Sequence, residues 1–319
     1  MRPIRAGHVI QNVGPAFDFS RAKVATEAPI KVPIKMPIKV NPMQTLLTQN
    51  KKGLAFRALH ARDRAFIIPN PWDVGTARLL AHLGFEALAT TSAGYAFSVG
   101  RRDNADTTDR QEMMQHVAEI ASATDLPVSA DLENGFGDTP EIVAESVRLV
   151  ATAGLVGCSI EDMARQSGTI YGHEEAEDRI RAAAQAAHSL PFPFTLTARA
   201  ENYVVGKADL ADTIKRLQGY QEAGADVLYA PGLTSKDEIA SLVKSVDRPV
   251  NVVMGLRGVT LSLVELSVIG VKRVSVGSAL SRAALGAFLR GAREMKESGT
   301  FTFAEDAVST RDLSAIFAE

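Results

Sequence analysis

From Phe66 onward, short apolar runs rich in β-type residues alternate with longer segments whose apolar positions recur at helical spacing. The runs cover 66–69, 87–91, 127–131, 157–161, 194–199, 226–230, 250–254 and 273–276. Between and after them the pattern predicts helices over 72–83, 109–123, 139–153, 174–188, 210–223, 235–246, 260–269 and 279–297. Several ends are chemically marked: Thr139-Pro140-Glu141 supplies an N-cap, a proline at the first helical position and an early acid, and Gly224 stops the helix before the run at 226. Strands alternating with helices in this way predict βα units on a parallel sheet, and eight of them in succession predict an α/β fold, a (β/α)8 TIM barrel. An open doubly wound sheet is the structural alternative. No Gly-x-Gly-x-x-Gly follows the first strand, so the dinucleotide-binding version of that fold loses support.

In a barrel of this kind the chemistry belongs on the loops after the strands. The third run ends in Asp131 and Glu133, the fourth in Glu161 and Asp162, and the fifth in Arg199 followed by Glu201. The second leads into Ser92-Ala93-Gly94 and then Arg102-Asp103. Carboxylates crowded on one rim repel one another, so they need protons or a cation. Mg2+ prefers such hard oxygen donors, with Mn2+ as a substitute. Asp131 and Glu133, two residues apart, are read as lying on one face of a strand and as metal ligands. Arg199 is free, on this reading, to clamp a substrate carboxylate with its planar fork, although pairing with Glu201 would give it a purely structural role. The turn at Ser92-Ala93-Gly94 offers backbone N–H groups to an oxyanion. Asp138 and Asp162 can equally serve as helix caps. Trp72 stands where a helix starts, beside the first strand end, and is a candidate for contact with the substrate.

Composition narrows the classes. The chain has 319 residues, 46% hydrophobic and 23% charged, enough for one large core, and no apolar run approaches the ~18 residues of a membrane span. A net charge of −2 gives no footprint for nucleic acid. Residues 1–42 differ from the rest, with seven Lys or Arg against Asp18 and Glu27, a balance of +5 that leaves −7 for the remainder. They contain the repeat Pro29-Ile30-Lys31-Val32, Pro33-Ile34-Lys35-Met36, Pro37-Ile38-Lys39-Val40. Proline at every fourth position opposes a helix and spoils the amphipathic pattern of an organelle transit peptide. Residues 1–42 therefore read as a disordered basic tail, or as sequence upstream of a natural start at Met43, and 43–319 as a single catalytic barrel in the cytoplasm. The lone Cys158 lies inside an apolar strand-like run and reads as a packed, inert thiol.

Over residues 56–289 the chain resembles the phosphoenolpyruvate mutase and isocitrate lyase superfamily. The resemblance rests on Pro69-Asn70-Pro71-Trp72-Asp73, Thr91-Ser92-Ala93-Gly94, Arg102-Asp103, Asp131-Leu132-Glu133-Asn134-Gly135-Phe136-Gly137, Ile160-Glu161-Asp162 and Thr197-Ala198-Arg199. It implies that Asp131 and Glu133 hold Mg2+, with Glu133 standing where the family pattern has a second Asp, and that Asp103 and Glu161 hold metal-bound waters. It also implies that Ser92 with the N–H groups of Ala93 and Gly94 binds the pyruvyl part of a substrate, and that Arg199 contacts its carboxylate or oxyanion. The family's barrel swaps its last helix onto a neighbouring subunit, which implies a homo-oligomer, a dimer of dimers.

One segment departs from the family. The lyases carry Lys-[Lys/Arg]-Cys-Gly-His on a loop after the Glu-Asp pair, whereas this chain has Met163-Ala164-Arg165-Gln166-Ser167-Gly168-Thr169-Ile170-Tyr171-Gly172-His173. The Lys-x-x-Asn loop of the mutases is absent too. Tyr171 and His173 are the proton-transfer candidates on this short gate. The reading is a Mg2+-dependent carbon–carbon lyase acting on a small 2-oxo or 2-hydroxy carboxylate through a pyruvate-type enolate. Its rivals are a P–C bond enzyme of mutase or phosphonopyruvate hydrolase type, an oxaloacetate-type decarboxylase, and a metal-binding barrel without catalysis.

Overall fold

The alternation becomes a ring of eight parallel strands in a computed structural model that describes residues 42–103 and 108–318, with side chains from Leu46 onward. The expectation for residues 1–42 therefore lies, apart from Pro42, outside the described residues. The chain opens with α1 (Pro42–His60) and continues β1 (Phe66–Ile68), α2 (Val74–His82), β2 (Leu88–Ala89), α3 (Ser92–Ser98), α4 (Arg110–Ser122), β3 (Val128–Asp131) and α5 (Pro140–Thr152). It goes on through β4 (Gly157–Glu161), α6 (His173–His188), β5 (Thr195–Arg199), α7 (Leu210–Glu222), β6 (Val227–Tyr229) and α8 (Lys236–Lys244). Then come β7 (Val250–Val253), α9 (Leu263–Val268), β8 (Arg273–Ser275), α10 (Ala279–Ser298), a 3₁₀ turn over Thr302–Asp306 and α11 (Thr310–Ala318).

Strand order runs β1-β8-β7-β6-β5-β4-β3-β2, with each neighbouring pair parallel. The remaining gap between β1 and β2 is bridged at the strand ends: Ala89 N–H donates to Pro69 O at 3.1 Å and the Asn70 amide to Thr90 O at 3.0 Å. Asn70 Oδ1 also accepts the N–H groups of Val276 and Gly277, each at 2.9 Å. One side chain of the Pro-Asn-Pro segment thus ties β1, β2 and the end of β8 into a closed rim.

Side chains alternate as the period of two requires. Cys158, Ile160, Leu196, Ala198, Leu228, Val252 and Val274 are buried in the apolar core with residues of the surrounding helices. Their neighbours Ser159, Arg199, Tyr229, Asn251, Arg273 and Ser275 line a cavity with Ser129 and Asp131. The outer face of the sheet makes the apolar core while the inner face stays polar. Several helices start on side-chain caps that the sequence carries: Asp73 and Thr76 form a reciprocal capping box on α2, and Thr139 precedes Pro140 on α5.

α1 is an element beyond the predicted set. Its apolar positions give little amphipathic signal, yet Phe56 and Leu59 are buried and the Gln49 amide donates to Ala151 O at 2.7 Å. A Cβ at Gly53 would collide with the Pro193 carbonyl, so this helix needs glycine where it crosses the loop before β5. At the other end, Glu294 on α10 accepts from the Thr300 hydroxyl and from the N–H groups of Thr302 and Phe303, turning the chain back. α11 then packs on α2, with Arg78 donating to Phe317 O at 3.0 Å. Phe288 and Phe301 are 71% and 65% exposed, so this end carries an apolar face that the described residues do not cover.

Candidate active site

Asp131 closes β3 and is held from three sides. Its N–H donates to Thr90 Oγ1 at 2.9 Å, and its Oδ2 accepts from the Ser92 N–H at 3.1 Å and hydroxyl at 2.9 Å. The predicted turn at Ser92-Ala93-Gly94 is the first turn of α3, capped by Thr91, which accepts the Gly94 N–H at 3.2 Å. The positive end of a short helix therefore faces the Asp131 carboxylate, a favourable pairing.

Arg199 closes β5 and reaches across the register. Glu161 of β4 and Tyr229 of β6 are its strand partners. Its Nη1 lies 2.9 Å from Asp131 Oδ1, Nη2 3.0 Å from Glu161 Oε2 and Nε 2.8 Å from Glu201 Oε1. Burial opposes its charge, but Glu201, Glu161 and Asp131 outweigh burial and hold its pKa well above the ordinary value. The Glu161 pKa is raised as well, by burial, although Arg199 pulls it down, so its neutral form is favoured. The pairing with Glu201 foreseen as a structural role is present, and Arg199 also lines the cavity.

Glu201 is placed by a buried support. Its N–H donates to Asp162 Oδ1 at 2.8 Å, while Asp162 Oδ2 takes the Tyr220 hydroxyl at 2.5 Å and Arg216 Nη1 at 3.2 Å. Asp162 is no helix cap; it anchors the loop that carries Glu201. Asp138 is not the cap of α5 either, since Thr139 takes that place.

Glu133 falls elsewhere than the spacing suggested. β3 stops at Asp131, and Glu133 sits in the left-handed region at φ 49°, as does Phe136 at φ 63°, so Asp131 and Glu133 do not share a strand face. The Glu133 side chain is buried and its Oε2 lies 2.8 Å from Arg165 Nε. Burial pushes its pKa up to about 7, with Arg165 opposing the rise. Arg165 comes from the gate segment, where Met163 bridges Ile170, and it also donates to Thr108 O at 3.0 Å and lies over the Phe136 ring. It is the one charged residue between Glu161-Asp162 and His173, a signal that was legible in the sequence.

The two gate candidates have partners of their own. Tyr171 is buried, donates to Asp138 Oδ1 at 2.6 Å and accepts from the Asn134 amide at 3.0 Å; burial and Asp138 push its pKa up to about 12. His173 opens α6, its Nε2 2.7 Å from Asp212 Oδ1. Neither lines the cavity bounded by Asp131 and Arg199. Trp72 is half-buried and Asp103 exposed, and neither borders that cavity. Cys158 is fully buried on the outer face of β4, and burial pushes its thiol pKa far up.

Among the described residues no three His, Cys, Asp or Glu side chains form a ready metal cage. Mg2+ does not require one, because it keeps several waters and binds through one or two carboxylates. The donors fit that pattern: Asp131 borders the cavity, and Glu161 Oε1 and Glu201 Oε2 are buried with no hydrogen-bond partner among the described residues.

Many enzymes carry acids and an arginine at the strand ends of a βα barrel, and comparison with known proteins narrows this one to a single superfamily. The family model described as phosphoenolpyruvate phosphomutase matches residues 56–296. An uncharacterised protein of Mycobacterium tuberculosis is 33% identical, covering 76% of this chain and 90% of its own. The 2-methylisocitrate lyase of Escherichia coli is 29% identical over 64% of this chain and 70% of its own. A crystal structure from Burkholderia cenocepacia, assigned only as a lyase/mutase, is 62% identical with a TM-score of 0.83, covering 85% and 97%. The chain belongs to the phosphoenolpyruvate mutase and isocitrate lyase superfamily.

Proposed function

We propose that this barrel is a Mg2+-dependent carbon–carbon lyase for a small 2-oxo or 2-hydroxy carboxylate, cleaving through a pyruvate-type enolate. The carrying observation is Arg199, a buried guanidinium fixed among Asp131, Glu161 and Glu201 at the edge of a polar cavity. Of its five N–H donors these contacts account for three, which leaves two for a substrate carboxylate or oxyanion. The charge is preorganised, so stabilising negative charge as it develops needs no rearrangement. Ser92 orients the Asp131 carboxylate, and the support from Asp162 through Glu201 keeps the fork in place. Asp131, Glu161, Glu133 and Asp103 are the residues that would hold Mg2+, or Mn2+ in its stead. Bound there, the metal supplies a Lewis acid for the substrate's oxygens.

For Glu133 to serve the metal it must exchange Arg165 for the cation, which makes it the most conditional of the four. Ser92, Ala93 and Gly94 form the substrate-binding turn on this reading, with Trp72 beside it. Proton transfer by Tyr171 or His173 requires the gate to bring either residue to the cavity. The second reading, a P–C bond enzyme, is favoured by the matching family model, which is that of the phosphomutase. The apolar face around Phe288 and Phe301 supports a homo-oligomer in which the C-terminal helices pack on a neighbouring copy. A cytoplasmic location belongs to the same proposal; no helix among the described residues is long and apolar enough to cross a membrane.

The test is a panel of malate and citrate analogues, 2-oxo acids and phosphonopyruvate incubated with Mg2+. Pyruvate or glyoxylate release from a hydroxy acid supports the lyase. Phosphate release or phosphoryl transfer on phosphonopyruvate replaces it with the second reading. No turnover of any member leaves the non-catalytic barrel.

A further inference from the structure

The barrel interior holds a second guanidinium that the proposed chemistry does not use. Arg273 opens β8 and is 5% exposed. Its Nε donates to Asn251 Oδ1 and its Nη2 to Thr197 Oγ1, both at 2.9 Å, and its Nη1 lies 3.5 Å from His60 Nε2. Those contacts engage three of five N–H groups. All three partners are neutral: Asn251 and Thr197 carry no charge, and burial, reinforced by Arg273, pushes His60 down to about 3.

The contrast with Arg199 is instructive. Arg199 has a carboxylate on each of its three nitrogens, whereas among the described residues no ion pair joins Arg273 to an acid. A buried charge without a counter-charge is costly, and so are buried donors left unmatched. Burial lowers the pKa of Arg273 to about 10, which still leaves it a cation at neutral pH.

Both arginines line one cavity of about 60 Å³, together with the neutral polar residues Asn70, Ser129, Ser159 and Ser275. Asp131 lines it too, but its carboxylate already accepts from Arg199 and from Ser92 twice. The space exceeds the roughly 30 Å³ that one water occupies in the liquid. It has room for an ion of a few atoms beside Arg273. We propose that this cavity is an interior binding site for one small monovalent anion, of halide or formate size, seated against the free N–H groups of Arg273. Such an ion supplies the missing counter-charge and the missing acceptor together. The proposal does not depend on the lyase reading.

The experiment uses the full chain and sodium bromide as probe. Crystals grown in gluconate, an anion much bulkier than halide or formate, are soaked in bromide and measured at the bromine edge. An anomalous peak within hydrogen-bonding reach of Arg273 Nη1 or Nη2 is expected. In parallel, the melting temperature is followed while bromide replaces gluconate at constant ionic strength. A saturable rise of a few degrees is expected, and Arg273→Met should lose it. Formate in place of bromide separates a carboxylate site from a halide site: a rise with either ion upholds the proposal and names the preferred anion. Water alone in the cavity, a bromide peak confined to Arg199, or identical titrations in wild type and Arg273→Met would each overturn it. Should Arg273→Met not fold, the wild-type soak decides by itself.

Discussion

Arg199 and Asp131 come from strands two positions apart in the barrel, yet Arg199 Nη1 lies 2.9 Å from Asp131 Oδ1. β4 stands between them, and its Glu161 meets the same guanidinium at 3.0 Å. The contact joins the residue proposed to bind metal to the residue proposed to bind substrate. Loading either partner therefore alters the charge that the other one feels.

Arg199→Lys tests the fork. A lysine keeps the charge but cannot hold three carboxylates while presenting further donors in one plane. Turnover on the best substrate of the panel should fall by about 10² to 10³, the usual loss for one preorganised donor. Steady-state kinetics alongside a circular dichroism melt will separate lost chemistry from lost fold. An unchanged kcat would remove Arg199 from the mechanism.

Asp131→Asn tests the metal. The amide keeps the shape but not the charge, so Mg2+ affinity in calorimetry should weaken by about tenfold or more, with the barrel still folded. Chelation with EDTA should abolish wild-type turnover and readdition of Mg2+ restore it. Wild-type affinity in the variant would show that the cation binds elsewhere.

Tyr171→Phe separates gate chemistry from gate structure. The hydroxyl is shared between Asp138 and the Asn134 amide, so its loss should cost about 1 kcal/mol of stability in a urea titration. Because Tyr171 does not line the cavity, the basic limb of the kcat–pH profile should not move. A profile that loses that limb would make Tyr171 the proton carrier.

His60 gives a pH dependence with a defined sign. Its folded pKa is pushed down to about 3, first by burial and then by Arg273, from an ordinary 6.5. The folded state therefore excludes a proton that the unfolded chain accepts. The resulting stability is fully present above pH 6.5, declines as pH falls below that value and is exhausted near pH 3, on the order of a few kcal/mol in all. His60→Gln should lack this component. Denaturant midpoints of both proteins between pH 7 and 4 should diverge by the loss in the wild type; parallel curves would place the titration elsewhere.

The sequence carried the barrel because period-two runs alternating with helical segments are a local signal repeated eight times. It placed β4 and β5 to within a residue, and it marked Asp131, Glu161 and Arg199 because each ends a strand. Three features were beyond it. α1 has too little amphipathic pattern to announce itself and is held by contacts such as Gln49 with Ala151, 102 residues away. Glu133 looked like a strand neighbour of Asp131, but the backbone turns left-handed after Leu132 and delivers it to Arg165. Asn70 read as motif, while its work is to close the rim through residues more than 200 positions distant.

Local pattern thus determined which elements form and which residues end them, because dihedral preference and side-chain period act over a few residues. Which charges meet was decided by the closure of the barrel. Register brings Asp131, Glu161 and Glu201 onto one guanidinium and, among the described residues, leaves Arg273 without an acid. No spacing in the chain encodes that difference, since it arises only when eight strands share one interior.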